Sequence, residues 1–344
     1  MQSEVDWRWP ENRREAFLRF YGYHLKYRAH PGMVYSWLPA LAEEYGMTDQ
    51  ERAWLVWING NTQNPVTSKL ILDVAPSPED WRLAVEFVDT NFSRLQWDTD
   101  RRYHKARFGE ATEKMINEWG AQYLNEWWGQ KSSYGWEYLW KFATSMPYMG
   151  RLSAWSMIEY ARILLPKEKI IDAPTLLLKD RDGSRSHRNG LCLLMGMNAT
   201  RWGWEEAEPY VTMAEILGED LLREARARFP DQPDVSRLTL ESALCTYKSW
   251  HKPNRRYPGV YADMALDRLR WAEERWGDRF ECLWRSRRET LPVQLRAEDN
   301  PADPGLSPLK QNLYLETGVP YGMGWEYPDM MTPEELDIRI GELI

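Results

Sequence analysis

The sequence EDWRLAVEFVDTNFSRLQW, residues 79–97, decides the fold class of this chain. Pro78 stands immediately before it, at a position where helices commonly begin. The apolar residues recur at steps of three and four, which places them on one face of a helix with 3.6 residues per turn. These residues are Trp81, Ala84, Val85, Val88, Phe92 and Leu95. The stretch therefore predicts an amphipathic α-helix.

The same periodicity continues through most of the chain. It predicts long helices over residues 110–128, 206–229 and 261–276, and shorter helices over residues 13–27, 33–45, 49–60, 134–144 and 153–165. Residues 175–179 alone have a weakly strand-like pattern. The sequence therefore predicts a mainly α protein built as a helical bundle.

Two segments lack a helical period. Residues 167–203 are expected to form a long irregular central loop, and residues 300–333, rich in Pro and Gly, an extended C-terminal segment. Loops of this length in a compact domain are usually functional or disordered. Any domain boundary is expected near residues 200–205, which divides the chain into a catalytic core, 1–203, and a C-terminal region, 204–344.

Composition excludes several classes of protein. The chain has 344 residues, a net charge of −8 and a pI of about 5.4, whereas general nucleic-acid binders are usually basic. Three widely spaced cysteines predict neither a disulfide framework nor a zinc ribbon, and they favour the reducing cytoplasm. The first residues lack the apolar stretch of a signal peptide, and no apolar run is long enough to cross a membrane.

Several familiar enzyme motifs are absent. The sequence contains no GxxxxGK[ST] phosphate loop, no GxGxxG, no GxSxG and no HExxH. Among the five histidines no two stand at metal-ligand spacing, and none is near a cysteine along the chain. ATP-driven chemistry and zinc hydrolysis are therefore not expected. No cofactor or metal site is predicted, although an Mg²⁺ ion held by an isolated aspartate stays open.

Positive charge is concentrated in short stretches of this acidic chain. RDGSRSHR, residues 181–188, combines arginines with Gly and Ser, whose backbone N–H groups can converge on an anion. KSWHKPNRRYPGVY, residues 248–261, mixes cations with aromatic rings, which suits contact with a nucleic acid strand. Its candidate DNA-binding residues are Lys248, Trp250, Lys252, Arg255 and Arg256. Either stretch can instead be an ordinary solvated face.

A turn leads into a helix near residue 150. Pro147, Tyr148 and Gly150 precede the predicted helix, and Asp172 follows it. This order resembles the hairpin of helix-hairpin-helix DNA glycosylases, where glycine frees backbone N–H groups at a helix N-terminus to hold a DNA phosphate. The usual hairpin has two glycines, and Arg151 replaces the second here. The resemblance implies a DNA-glycosylase-like helical bundle with a functional acidic residue after the hairpin.

A closer resemblance rests on four stretches of the sequence. They are WINGNTQNPVTSKLIL (57–72), GRLSAW (150–155), IDAP (171–174) and GSRSHRNGL (183–191). These stretches resemble the amino acid:DNA transferases of caudate phages that hypermodify thymine, helical proteins related to the α-glutamyl/putrescinyl thymine pyrophosphorylases. The resemblance implies a transferase that acts on double-stranded DNA containing a pyrophosphorylated thymine. It would join the amine of a free amino acid to the thymine 5-methylene and displace pyrophosphate.

The implied reaction assigns roles to residues of this sequence. Clustered arginines would neutralise the leaving pyrophosphate, and a carboxylate would accept the proton of the amine. Asp172 is the first candidate base and Asp180 the second. The candidate pyrophosphate- or phosphate-binding residues are Gly150, Arg151, Arg181, Arg185, His187 and Arg188. No residue of the sequence identifies the transferred amino acid, and glycine is taken as the first hypothesis.

The reaction also requires a pocket, because a base inside the duplex stack must be flipped out before it can react. The candidates for holding its edge or the amino acid are Asn59, Asn61, Gln63 and Asn64, and those for stacking are Trp57, Trp155 and Trp250. The chain has 20 Trp, and those at helical spacing are assigned to the core instead. These are Trp81, Trp119, Trp127 and Trp140.

Other interpretations of the same residues stay open. Asp172, before Ala-Pro, is also a common type of turn-capping residue. The NGNTQN run is also consistent with a loop that ends a helix at Gly60. A second hypothesis is a helix-hairpin-helix glycosylase that uses Asp172 against the anomeric carbon. A third hypothesis is a non-enzymatic nucleic-acid-binding phage protein that relies on residues 248–261.

Overall fold

The computed structural model describes residues 5, 9–97, 107–120, 135–165, 172–181, 183–197, 202–250, 260–300 and 308–318. Within these ranges every regular element is helical, which confirms the mainly α class. The α-helices are α1 (Arg13–Lys26), α2 (Val34–Glu44), α3 (Asp49–Thr62), α4 (Pro65–Leu72), α5 (Trp81–Asn91), α6 (Phe108–Trp119), α7 (Trp136–Ser145), α8 (Arg151–Leu164), α9 (Arg185–Leu194), α10 (Trp204–Ala207), α11 (Val211–Arg228), α12 (Arg237–Trp250), α13 (Val260–Trp276), α14 (Glu281–Thr290) and α15 (Pro308–Thr317). None of the described helices has both the length and the apolar composition needed to cross a bilayer.

Periodicity located most of these helices but not all. The predicted strand at residues 175–179 is wrong, since this segment forms bends and turns. The expected irregular loop over residues 167–203 is interrupted by α9, which buries Leu191, Cys192 and Leu193 along with the residues before them. The expected extended C-terminal segment contains α15. Both helices are short, so each offers too few turns for a clear sequence period.

Two compact units share the chain. Unit 1 consists of residues 1–30, 173–263 and 291–344, and unit 2 of residues 31–172 and 264–290. Each unit is therefore assembled from separate stretches of sequence. Neither unit coincides with the segments 1–203 and 204–344.

Unit 2 has a core rich in tryptophan. In this unit α3 packs against α8 and α4, and α2 packs against α14. Four fully buried indoles fill the core: Trp37, Trp54, Trp57 and Trp155. The rings assigned to the core from their spacing, Trp81, Trp119 and Trp140, are only half-buried, and Trp127 lies outside the described residues. Helical spacing alone therefore does not distinguish the most deeply buried tryptophans from the half-buried ones.

Unit 1 is built around the pairing of α9 with α12, against which α1 also packs. The two paired helices approach closely at Gly190, where an added Cβ would lie 2.7 Å from the carbonyl oxygen of Leu244. The ring of Tyr247 on α12 packs edge-on against Phe17 and Phe20 of α1, at 5.2 and 5.5 Å between ring centres. This packing fixes the position of the first turn of α9.

Candidate functional site

The beginning of α9 carries a group of arginines that we call the arginine site. It consists of Arg181, Arg185 and Arg188 together with Trp202, Gly203 and Trp204. Arg185 Nε donates to the carbonyl oxygen of Trp202 over 3.1 Å, and Arg188 Nη2 donates to that of Gly203 over 3.0 Å. The structure therefore gathers the three predicted arginines on one short stretch of backbone.

Trp204 is the ring that two of these arginines share. The guanidinium carbons of Arg181 and Arg188 each lie 5.3 Å from its centre, within range of a cation–π interaction. Arg181 also lies 3.8 Å from the carboxylate of Glu205. Both partners of this ion pair are largely exposed, so it is weak and easily screened. An incoming anion can therefore compete for Arg181 at little cost.

Burial separates Arg188 from the other two arginines. Arg181 and Arg185 are exposed, whereas Arg188 is 1% exposed. Burial is the main cause that lowers the pKa of Arg188, and the like charge of Arg185 lowers it further, yet a guanidinium keeps its charge in proteins. Among the described residues no carboxylate forms an ion pair with Arg188, and its Nε makes no hydrogen bond. A buried cation in this state favours a bound anion.

His187 does not lie with the exposed arginines. Its ring is completely buried, with Nε2 3.0 Å from the carbonyl oxygen of Leu176 and Nδ1 3.1 Å from Oε1 of Glu241. The first turn of α9 therefore directs His187 toward α12 and away from the exposed arginines, and its anion contact stays a prediction. The Cys245 thiol completes a group whose potential ligand atoms all lie within 4.8 Å of one another.

Sequence reasoning missed Glu241 and Cys245. They lie on α12, far along the chain from His187, so no sequence spacing joins the three residues. His187 and Cys245 are far apart along the chain but close together in space. The available signal was the four-residue step from Glu241 to Cys245, which places two side chains on one face of a helix.

The two candidate bases are both half-buried. Asp180 precedes Arg181 in unit 1, where its backbone carbonyl accepts from the amide of Ser184 over 3.2 Å. Asp172 belongs to unit 2. Each stays a prediction as general base, and only Asp180 lies in the unit that holds the arginine site.

Residues 59–68, which we call the asparagine turn, join α3 to α4 in unit 2. Gly60 does not end α3, contrary to the loop interpretation. The helix continues to Thr62, and Gln63 ends it in the left-handed conformation, with φ 55°. Asn64 then caps α4, since its Oδ1 accepts from the amides of Val66 and Thr67 over 3.0 and 3.3 Å.

Every polar side chain predicted to bind substrate in the asparagine turn is buried. Gln63 Nε2 donates to the carbonyl oxygen of Gly60 over 2.7 Å, and its Oε1 accepts from the Tyr160 hydroxyl over 2.5 Å. Asn59 Oδ1 accepts from Ser68 Oγ over 3.0 Å. The turn therefore bonds chiefly to itself and to α8.

Three amide atoms of this turn make no hydrogen bond among the described residues: Asn59 Nδ2, Asn61 Oδ1 and Asn64 Nδ2. Buried polar atoms are normally paired, so each such atom calls for an explanation. All three residues are at most 1% exposed. These atoms can bind a substrate only if the turn opens.

Two of the three predicted stacking rings are also in the core. Trp57 Nε1 donates to Thr112 Oγ1 over 3.1 Å, and Trp155 packs edge-on against Trp136 at 5.4 Å. Both rings are at most 1% exposed. They have no free face for a flipped base, because neighbouring helices cover them. The guanidinium of Arg151 lies 5.4 Å from the Trp155 ring.

The turn before α8 presents Gly150 at the surface. The carbonyl oxygen of Met146 accepts from the Met149 amide over 3.0 Å, and Tyr148 adopts φ 60°, where glycine is usual. Gly150 then begins α8 with no side chain capping the helix. The Tyr148 hydroxyl accepts from Lys114 Nζ over 3.0 Å. This exposed helix start is available for the predicted phosphate contact.

The predicted DNA-binding stretch is described only at its beginning. Lys248, half-buried, donates to Ser186 Oγ over 2.8 Å and so ties α12 to α9. Trp250 ends α12, and its side chain lies outside the described structure. Lys252, Arg255 and Arg256 lie outside the described residues. Their role in DNA binding stays a prediction.

An open cavity of about 380 Å³ lies in unit 1. Its lining residues are Glu15, Arg19, Gly22, Tyr23, Lys26, Arg228, Phe229, Gln232, Glu316 and Thr317. Glu15 accepts from Arg228 over 2.8 Å and from Arg19 over 2.7 Å, and the bond from Arg228 is the main cause that lowers the pKa of Glu15. The cavity therefore offers charges of both signs.

The fold and these sites define a class of protein. Its described residues are all-helical, and they carry an exposed arginine cluster that can bind a polyanion. Comparison with known proteins specifies the class further. Residues 13–256 match the model of the amino acid:DNA transferase family, and the chain belongs to this family. It is therefore an enzyme that transfers an amino acid onto DNA.

One relative is similar over nearly the whole chain. It is the serinyltransferase of Salmonella phage ViI, 28% identical, in an alignment that covers 97% of this chain and 90% of the relative. No solved structure matches the chain. Family membership thus favours the first sequence hypothesis over both the base-removing and the non-enzymatic ones.

Proposed function

We propose that this enzyme joins the amine of an amino acid to the 5-methylene of a pyrophosphorylated thymine in DNA. The amine nitrogen attacks the methylene carbon, and a C–N bond forms while the C–O bond to pyrophosphate breaks. Pyrophosphate leaves with the electron pair of that bond, and a general base takes the proton from nitrogen. The relative is a phage protein, so we place the reaction in the cytoplasm of an infected host.

The arginine site is the observation that carries this proposal. Its two exposed guanidinium groups and the buried Arg188 point to a ligand with several negative charges, which pyrophosphate supplies. Preorganised cations stabilise charge that develops on a leaving group, and they act most strongly where water is scarce. Arg188 meets that condition, while Arg181 and Arg185 remain accessible to a phosphate on DNA.

Asp180 is the preferred general base within this proposal, because it stands next to Arg181 in the same unit. Asp172 is the alternative. A carboxylate must come within hydrogen-bond reach of the amine to accept its proton. Asp180→Asn and Asp172→Asn separate the two, since only the base should lose turnover while DNA binding is retained.

The amino acid is proposed to bind in the cavity of unit 1. A free amino acid is a zwitterion, and the cavity offers carboxylates for its ammonium and cations for its carboxylate. Glu15, Arg228 and Lys26 supply these groups. Serine is the first amino acid to test because the relative is named for it, and glycine is the second.

The experiment is a transfer assay on DNA that carries pyrophosphorylated thymine. The enzyme is incubated with serine or glycine, the DNA is digested, and the nucleosides are identified by mass spectrometry with fragmentation. We expect a nucleoside joined through nitrogen and an equal amount of released pyrophosphate. Abasic sites, or product formed equally well on 5-hydroxymethyluracil DNA, would contradict the proposal.

The arginine site has a matched control on the same unit. The double variant Arg181→Ala, Arg185→Ala should lower the transfer rate by about 10² or more, the size expected for losing electrostatic stabilisation of the transition state. Arg223→Ala removes another exposed arginine, one paired with Asp220, and should leave the rate unchanged. Equal rates for the double variant and the wild type would show that the leaving group is bound elsewhere.

A further inference from the structure

We infer that His187, Glu241 and Cys245 form a binding site for a divalent metal ion of the zinc class. Their potential ligand atoms all lie within 4.8 Å of one another. In a tetrahedral zinc site, with bonds of about 2.0–2.3 Å, neighbouring ligand atoms are roughly 3.3–3.8 Å apart. Small rotations of these side chains therefore bring the donors to coordination distance.

The pairing of α9 with α12 places the ligands. Gly190 lets the helices approach so closely that an added Cβ would lie 2.7 Å from the Leu244 carbonyl oxygen. His187 is almost one turn before Gly190, and Glu241 is almost one turn before Leu244. The four-residue step from Glu241 to Cys245 keeps these two donors on the same face of α12. The close approach thus brings an imidazole from one helix to a carboxylate and a thiol from the other.

The hydrogen bonds of His187 orient it as a metal ligand. The carbonyl oxygen of Leu176 can only accept, so the Nε2 atom 3.0 Å away from it carries the hydrogen. In the neutral ring Nδ1 then has a lone pair, and this lone pair faces Glu241 Oε1 at 3.1 Å. Two lone pairs at this distance repel each other unless a cation lies between them. A backbone carbonyl that holds the second ring nitrogen is the usual partner of a metal-bound histidine.

The donor set selects the type of metal. Imidazole, thiolate and carboxylate are the ligands of zinc, whereas Mg²⁺ and Ca²⁺ prefer oxygen alone. A proton between His187 and Glu241 would also relieve their repulsion, but it would give no role to the thiol of Cys245. Three protein ligands leave a fourth position for water or another ligand.

The inference does not depend on the proposed transfer reaction. A metal held here would join α9 to α12 one residue away from Arg188, and would so fix the turn that carries the arginine site. Its binding is measured directly on the purified full-length protein. Failure to bind metal would leave the transfer proposal intact, and failure of transfer would leave the metal site intact.

The test is cobalt and zinc binding. The apoprotein, prepared with a chelator, is titrated with Co²⁺ and then with Zn²⁺. We expect about one ion per chain, a near-ultraviolet charge-transfer band from sulfur to cobalt, and loss of that band when Zn²⁺ displaces Co²⁺. Zinc should also raise the Tm of the apoprotein, because the assembled site of the folded state binds it more tightly than the unfolded chain does.

Matched variants distinguish this site from adventitious binding. Cys245→Ser should abolish the charge-transfer band. Glu241→Gln should weaken Zn²⁺ affinity by about 10-fold or more, because even the loss of a group that only hydrogen-bonds to a metal ligand costs about 10- to 100-fold. Cys282→Ser removes a thiol of unit 2 and should keep the band. Circular dichroism verifies that each variant is folded. An unchanged band in folded Cys245→Ser, or no saturable binding by the wild type, would overturn the inference.

Discussion

The asparagine turn and the arginine site look alike in sequence and differ completely in structure. Both are polar stretches beside a helix, and both were predicted to bind substrate. The turn buries all of its predicted contact residues, Asn59, Asn61, Gln63 and Asn64. The arginine site exposes two of its three guanidinium groups. Polarity between helices therefore does not by itself identify a ligand site.

The difference follows from the hydrogen bonds that each kind of side chain can form within the protein. The amides of Gln63 and Asn64 bond to backbone groups that a helix end leaves unpaired, which is the usual work of such residues at helix junctions. A guanidinium has five N–H donors, and that of Arg181 is largely exposed, with a weak ion pair to Glu205. An exposed guanidinium of this kind is accessible to a ligand. Four predictions test this contrast on the free energy of unfolding, beginning with the largest effect.

As the pH is lowered, unit 1 should lose stability at a higher pH than unit 2. Burial lowers the pKa of His24, on α1 of unit 1, to about 3 from an ordinary 6.5. Between these values the unfolded chain binds a proton that the folded chain does not. The free energy of unfolding should therefore fall by about 1.4 kcal/mol for each pH unit below 6.5, until about pH 3.

Hydrogen-exchange labelling of acid-treated protein, analysed by peptide, measures this effect. Peptides from α9 should lose protection at a higher pH than peptides from the asparagine turn. His24→Gln removes the titrating ring and should reduce the difference. If α9 and the asparagine turn lost protection at the same pH, in the wild type and in His24→Gln, His24 would not determine the stability of the protein in acid.

Substitution of Gly190 and of Gly60 compares the packing around the arginine site with that of the asparagine turn. Gly190→Ala places a methyl 2.7 Å from the Leu244 carbonyl oxygen, and overpacking of this kind costs about 1–3 kcal/mol. Gly60→Ala is the matched control, since its methyl would lie 3.6 Å from Met149 Cε. There alanine should stabilise α3 by up to about 1 kcal/mol. Urea denaturation compares the two, and equal effects would contradict the close helix approach at Gly190.

Asn64→Ala tests whether the asparagine turn is structural. It removes the side-chain oxygen that caps α4 at the amides of Val66 and Thr67, and a lost cap costs about 1–2 kcal/mol. Thr48→Ala removes the exposed cap of α3 and should cost no more than about 1 kcal/mol. Equilibrium unfolding gives both values. If Asn64→Ala lowered the free energy of unfolding less than Thr48→Ala does, a structural role would not explain Asn64, and the asparagine turn would again be a candidate for substrate binding.

The sequence predicted the helical class well, because burying one face of a helix imposes a period that survives without structural knowledge. The helix predicted over residues 261–276 agrees with α13 to within one residue at its ends. The helix predicted over residues 79–97 ends early, because α5 stops at Asn91 and a 3₁₀ turn continues it only to Arg94. The start of α9 was not predicted, because this helix is only ten residues long and begins among Arg, Ser and Gly. The left-handed Gln63 was missed because glycine is the residue expected there, and Gly60 offered the more obvious helix end.

The candidate site was predicted in part. The arginines converge because residues 181–188 precede and begin a single helix, so local sequence was enough to group them. His187 was grouped with the arginines from its place in the sequence, whereas its side chain faces Glu241 on α12, because one residue turns a helical side chain by about 100°. Glu241 and Cys245 were not found because tertiary packing alone joins them to α9. Trp57 and Trp155 were assigned to stacking from polar neighbours, although their burial depends on helices far along the chain.

The exposed arginines give the last and smallest effect on stability. Arg181→Ala and Arg185→Ala each remove an exposed side chain, whose contacts include the weak ion pair of Arg181 with Glu205 and the hydrogen bond from Arg185 to the Trp202 carbonyl oxygen. Because both side chains lie at the surface, each substitution should change the free energy of unfolding by less than about 0.5 kcal/mol. Pyrophosphate should nevertheless bind the double variant more weakly than the wild type, by isothermal titration. For the asparagine turn we expect the opposite result. The Asn64→Ala variant should have a lower free energy of unfolding than the wild type but the same affinity for pyrophosphate. A stable Asn64→Ala with weakened pyrophosphate binding would exchange the roles of the two regions.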